Sequence, residues 1–222
     1  MVTEVFVRQL VSRVVAGMQT QSGESGPVEI SGRHVHLSQA HVDALFGVGH
    51  QLTLERAISQ PGQFLSRERV RLAGPKGILE NVAVLGPVRR DTQAELSATD
   101  ARQLGVNAPL RMSGDLREAA DLVILAGDKV VHALGSAIIA RNHIHMTPAD
   151  AERFRVAHLE PVSVRVQGER SLVFENVPVR VDEKCKLAMH IDIDEANACL
   201  CGKDALGILL RRSAGFACNG PE

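Results

Sequence analysis

At 222 residues, 45% of them hydrophobic and with a formal net charge of −1, the chain is long enough for one sizeable core or two small ones and reads as a soluble globular protein. No basic patch stands out and no apolar run reaches spanning length, which argues against nucleic-acid and membrane partners. Trp and Tyr are absent, which suits a substrate that stays solvated or is held through its phosphates.

In chain order, Val5, Phe6, Leu10, Val11, Val14, Val15 and Met18 recur at helical spacing and predict an amphipathic helix within residues 1–20. Glu4, Arg8 and Arg13 interrupt its apolar residues, so it does not read as a secretory signal. The polar, Gly- and Ser-containing stretch 21–27 reads as a linker, so the helix can serve as a docking or packaging peptide or pack on its own domain. Beyond it come short strand-like runs: Val70–Leu72 and Ile78–Leu85 about a Gly74–Gly77 turn, then Val162–Val166 and Ser171–Val181 about Gly168-Glu169. Short helices are expected over Ser38–Phe46, Asp100–Leu104, Thr147–Phe154 and Asp194–Cys199. Cys185, Cys199, Cys201 and Cys218 read as free thiols of a cytoplasmic protein, since Cys199-x-Cys201 lacks zinc-ribbon spacing.

Two segments carry the chemistry. Arg33-His34-Val35-His36-Leu37-Ser38 and Asn142-His143-Ile144-His145-Met146-Thr147 each present a His-x-His pair, and on an extended strand residues i and i+2 face one side. Each pair can offer two imidazoles to one cation. An internal repeat supplies a third ligand to each. Glu80-Asn81-Val82-Ala83-Val84 matches Glu175-Asn176-Val177-Pro178-Val179, and fifteen residues after each Glu the register reaches Glu95 and His190. Arg89 falls opposite Lys184 in the same register.

Two sets therefore emerge, His34, His36 and Glu95, and His143, His145 and His190. Three protein ligands with a further position open describe a catalytic rather than a structural site. Imidazole and carboxylate also suit Mn, Fe, Co or Ni, so spacing leaves the metal open. Arg89, after a Gly86-Pro87 turn, is a candidate anion clamp because guanidinium matches phosphate geometry. His41, His50, His132 and His158 lack this context and read as surface or structural. The glycine-rich stretches show no nucleotide-loop pattern.

The stretches SGRHVHLS, SQPGQFL, LAGPKGILENVAVLGPVRRDTQAELS, APLRMSG, ARNHIHMTPADA and AMHIDIDEANA resemble the phosphate propanoyltransferase family, the PduL-type phosphotransacylases of bacterial microcompartments. The resemblance implies interconversion of an acyl-CoA (propanoyl- or acetyl-CoA) and phosphate with an acyl phosphate and CoA. It implies two divalent cations, normally zinc, on the same six residues, with Arg89 as the family's essential arginine. It also implies a mainly β fold of two antiparallel six-stranded barrels with short capping helices. The strand leading into each His-x-His is expected to cross, giving one barrel from 28–32 plus 141–212, the other from 33–140, and a tail over 213–222. The His34, His36 and Glu95 set is then expected to serve the CoA sulfur, and the three-histidine set the phosphate or the carbonyl. Shell proteins docking on residues 1–20, a place in the microcompartment lumen and a homodimer or higher oligomer are further expectations. A metal-dependent acyl-CoA hydrolase and a non-catalytic metal-binding scaffold are the alternatives. Ser31-Gly32-Arg33 departs from the family's Ser-Asn-Arg, and Ala94 and Leu96 from its usual Val and Ile, without touching the ligands.

Overall fold

Residues 24–210 are described by a computed structural model, so the helix, the first three residues of the linker and the tail expected from the sequence lie outside the described residues. In chain order the elements are β1 (Ser25–Ser31), β2 (His34–His36), α1 (Gln39–Phe46), β3 (Leu54–Ala57), β4 (Phe64–Gly74), β5 (Gly77–Gly86), β6 (Gln93–Leu96), α2 (Ala98–Leu104), β7 (Leu110–Arg111), β8 (Ala120–Ala126) and β9 (Lys129–Ala140). They continue with β10 (His143–Met146), α3 (Pro148–Phe154), β11 (Pro161–Val166), β12 (Leu172–Val181), β13 (Ala188–Asp192), α4 (Ile193–Cys199) and β14 (Leu206–Leu210).

The strands close into two rings. One, the β10 barrel, runs β1-β13-β10-β12-β11-β14. The other, the β2 barrel, runs β4-β5-β2-β6-β9 and closes through β8, which pairs both β9 and β4, while β3 and β7 extend it at its margins. Both rings are six-stranded and mixed. In each, the strand carrying His-x-His lies antiparallel to the strand carrying the third candidate ligand (β2 to β6, β10 to β13), and parallel strands flank that pair (β5 and β9, β12 and β1). Tight turns such as Pro75-Lys76 and Gly127-Asp128 impose the antiparallel hairpins, whereas parallel neighbours are joined only by longer excursions. The chain also crosses between the rings, through links of two residues. β1 belongs to the β10 barrel but leads through Gly32-Arg33 into β2, and β9 belongs to the β2 barrel but leads into β10.

Each barrel fills its own core. Val35, Leu72, Val84, Leu96 and Ile124 are among the buried residues of one, and Val28, Met146, Val164, Val179 and Ile191 of the other. The sequence repeat has a backbone cause. Asn81 and Asn176 adopt positive φ (54° and 56°), and ladder registers shift beside both, between Val70 and Leu72 and between Val162 and Val164. The Glu-Asn pairs are thus equivalent bulges, and Asn tolerates the left-handed conformation that such a bend requires.

Three boundaries differ from expectation. Ser25–Pro27, assigned to the linker, are in β1 and pair with Leu206–Ile208 of β14, because a closed barrel leaves no strand edge unpaired. Helices α2 and α4 begin at Ala98 and Ile193 rather than at Asp100 and Asp194, since capping boxes on Ser97 and Asp192 start them earlier. The cysteine-bearing segment past Cys199 contains β14, the strand that closes its barrel.

Candidate metal centres in a shared cavity

Every ligand-bearing strand ends the same way: a candidate ligand, an apolar residue, then a helix cap. His36-Leu37-Ser38, Glu95-Leu96-Ser97, His145-Met146-Thr147 and His190-Ile191-Asp192 follow this pattern, and each cap side chain accepts from a backbone N–H of the following first turn. The apolar residue points into the barrel core (Leu37, Leu96, Met146 and Ile191 are all buried), so strand alternation turns the ligand to the opposite face.

Register then assembles the sets. His34 lies directly across from Glu95, and His143 directly across from His190. In each set the three donor atoms fall within 4.8 Å of one another, which makes both groups able to hold a metal ion. His34 Nε2 is 3.6 Å and His36 Nε2 is 3.7 Å from the Glu95 carboxylate, and His143 Nε2 is 3.0 Å from His145 Nε2. These values lie near the ~3.3 Å that separates two donors each bonded at about 2.0–2.1 Å to a tetrahedral zinc.

The tautomers are set by equivalent contacts. His34 Nδ1–H donates to Gly32 O and His143 Nδ1–H to Arg141 O, both at 2.9 Å, so each Nε2 keeps its lone pair for the site. His36 Nδ1 and His190 Nε2 are buried with no hydrogen-bond partner among the described residues, and His190 belongs to a candidate set in which a cation would offer its ring a partner. Burial pushes His36 and His145 down to about 3 and His143 to about 4, so these rings are neutral at pH 7 and ready to ligate. Burial pulls His34 the same way, but Glu95 beside it wins and raises it. Burial would raise Glu95, yet His34, His36 and Ser113 hold its carboxyl well below the usual range.

Both sets and Arg89 line one cavity of about 420 Å³, within the size range of small-molecule sites. The structure thus brings together all seven residues singled out in the sequence. Arg89 is held at the mouth of β2: its N–H donates to Leu37 O at 2.9 Å, and its Nη1 donates to Ser113 Oγ at 3.3 Å. Ser113 in turn donates to Glu95 Oε1 at 2.7 Å, and Gln93 Nε2 donates to the same oxygen at 2.6 Å. Lys184 lines the cavity, as does Arg180, which pairs in register with His145 and depresses Arg89 and the nearby histidines electrostatically.

Sequence reasoning passed over Gln93, Ser113 and Arg180. Gln93 had a signal, since it shares the Glu95 face of β6 two residues earlier; Ser113 and Arg180 gave none without the fold. Cys185 lies 3.2 Å from His145 Nδ1, a contact that no spacing announced. The remaining histidines stay apart from the sets: His41 pairs with Thr92, His50 with Glu68, His158 accepts from Val181 N–H, and His132 is exposed.

The profile of one protein family, described as Phosphate propanoyltransferase, matches residues 27–202. Among curated relatives, the phosphate propanoyltransferase of Enterococcus faecalis is 46% identical over 205 residues, covering 92% of this chain and 97% of the relative. That of Alkaliphilus metalliredigens is 49% identical over 194 residues (86% and 92%), and that of Listeria monocytogenes 46% over 208 residues (94% and 97%).

Proposed function

This chain belongs to the phosphate propanoyltransferase family, and we propose that it interconverts an acyl-CoA and orthophosphate with an acyl phosphate and CoA in the cavity shared by its two barrels. The observation that carries the site assignment is the convergence of two equivalent triads and one buried-side arginine on a single cavity. Divalent cations, with zinc as the expected metal, would be held by His34, His36 and Glu95 and by His143, His145 and His190, and when bound supply Lewis-acid stabilisation of thiolate and oxyanion.

The chain's own residues do the rest. Arg89 neutralises phosphate and holds an oxygen over the face of the thioester carbonyl in attack geometry, helped electrostatically by Arg180 and Lys184. A phosphate oxygen forms the new bond to the carbonyl carbon, the C–S bond breaks, and the electron pair leaves with the CoA sulfur. Gln93 and Ser113 fix the Glu95 carboxylate, and Ser113 links it to Arg89. No acyl-enzyme is invoked.

The same reading assigns residues 28–32 plus 141–212 and residues 33–140 to the two barrel domains. It assigns residues 1–20 to encapsulation in a microcompartment lumen within the cytoplasm, and the active form to a homodimer or larger assembly. Among the described residues no helix is long and apolar enough to cross a membrane.

The test is CoA release from propanoyl- and acetyl-CoA, with and without phosphate, after metal stripping and zinc restoration. Phosphate-dependent release that returns with zinc is expected. Equal release without phosphate would mean a hydrolase, and no release with metal bound would mean a scaffold. Arg89→Ala should lower phosphate-dependent turnover by about 100-fold with both metal equivalents retained, and full turnover in that variant would remove the clamp assignment.

A further inference from the structure

We propose that Glu29 is the carboxylate of the three-histidine centre, balancing the charge of a divalent cation held by His143, His145 and His190 as Glu95 does in the other centre; the inference rests on the two-cation reading above. Glu29 sits on β1, the strand that crosses from the opposite half, and pairs in parallel register with His190. Its Oε2 lies 3.2 Å from His190 Nε2, a buried ring nitrogen with no hydrogen-bond partner among the described residues, so the carboxylate stands beside the three-histidine donor set without being one of its three mutually close donors. Ser59, from the β3–β4 segment of the other barrel, donates to the same carboxylate oxygen and fixes it from outside.

The duplication shows why this carboxylate is no accident of packing. In the other barrel the residue paired with the third ligand is Ile138, opposite Glu95. Glu29 stands five residues before His34 and Ile138 five residues before His143, so the two positions are equivalent both in register and in sequence. Where the third ligand is already Glu, its neighbour is apolar. Where the third ligand is His, its neighbour is Glu. Each centre therefore has one carboxylate beside its imidazoles. Without Glu29, a cation held by three imidazoles, ligands that carry no charge when they bind metal, would leave its divalent charge uncompensated, a costly arrangement in a site partly removed from water.

The test is metal affinity, read in the full chain by competition with a chromophoric zinc chelator. The parent protein should bind two equivalents. Glu29→Gln, which keeps the shape and the Ser59 contact but removes the charge, should weaken one equivalent by about 10- to 100-fold and leave the other unchanged. Glu29→Asp, which keeps the charge, should recover most of that loss. Fewer than two equivalents in the parent would overturn the two-cation reading itself. Two equivalents in the parent with unchanged affinities in Glu29→Gln would overturn the role of Glu29 alone. Equal weakening of both equivalents in Glu29→Gln and Glu29→Asp, with a lowered melting temperature of the metal-free forms, would assign Glu29 to folding and overturn it as well.

Discussion

At the scale of single residues, the histidines are prepared for ligation before any cation arrives. Burial keeps His36, His143 and His145 neutral, while His34 and Glu95 share a proton-stabilised pair that a cation would replace. His143→Ala should therefore remove one metal equivalent and lower turnover by at least about 100-fold, measured by metal analysis beside CoA release. A second titrating residue lies behind the site. Arg33 pairs with the capping-box acid Asp100, whereas the equivalent acid Glu195 accepts from neutral donors, Asn142 Nδ2 and the Asp192 backbone N–H. Burial pushes the Glu195 carboxyl up to about 7 from its ordinary 4.5. A raised folded value means that this group favours folding fully below about pH 4.5 and loses that contribution as pH rises through 7. Glu195→Gln should accordingly match the parent in acid and exceed it by about 3 kcal/mol near pH 8, in denaturant melts of the metal-free protein.

At the scale of elements, the devices that aim the ligands are short and repeated. The bulges at Asn81 and Asn176 turn β5 and β12 so that these strands run alongside β2 and β10. A β-branched residue is poorly accommodated at positive φ, so Asn81→Val and Asn176→Val should each cost about 1–2 kcal/mol, while the Gly substitutions should be nearly neutral in the same denaturant melts. At the end of β5, Gly86 presses on the Phe64 ring: an added Cβ would lie 2.2 Å from Cζ. Gly86→Ala should destabilise by about 1–3 kcal/mol and displace the segment that presents Arg89, seen as a higher KM for phosphate.

At the scale of the whole molecule, the crossing strands join the halves more firmly than contact alone would. β1 closes a barrel whose other strands all follow residue 140, so neither half of the chain holds a complete set for both rings. A fragment of residues 141–210 should fail to unfold cooperatively by circular dichroism, since its open ring exposes two strand edges. Joining residues 24–32 to that fragment should restore a cooperative transition. The same crossing places residues from both halves on one cavity.

That the six candidate ligands form two clusters was legible in the sequence because strand periodicity and repeat register are local properties: His34 and His36 must share a face, and Glu95 and His190 occupy the same step of a copied unit. The helix caps were half legible, as Pro148 marked α3 while the early starts of α2 and α4 depended on side chains folding back onto Ser97 and Asp192. Ser113, Arg180, Cys185 and Glu29 were not legible, because each reaches the site across a strand pair or a loop far away in the chain. What the chain alone determined is the chemistry on offer, two donor triads and an arginine in repeat register with them, since that follows from residue type and spacing. Only tertiary structure decided that the triads share a cavity and that a carboxylate stands beside the three-histidine set, because those facts depend on which barrel each crossing strand enters.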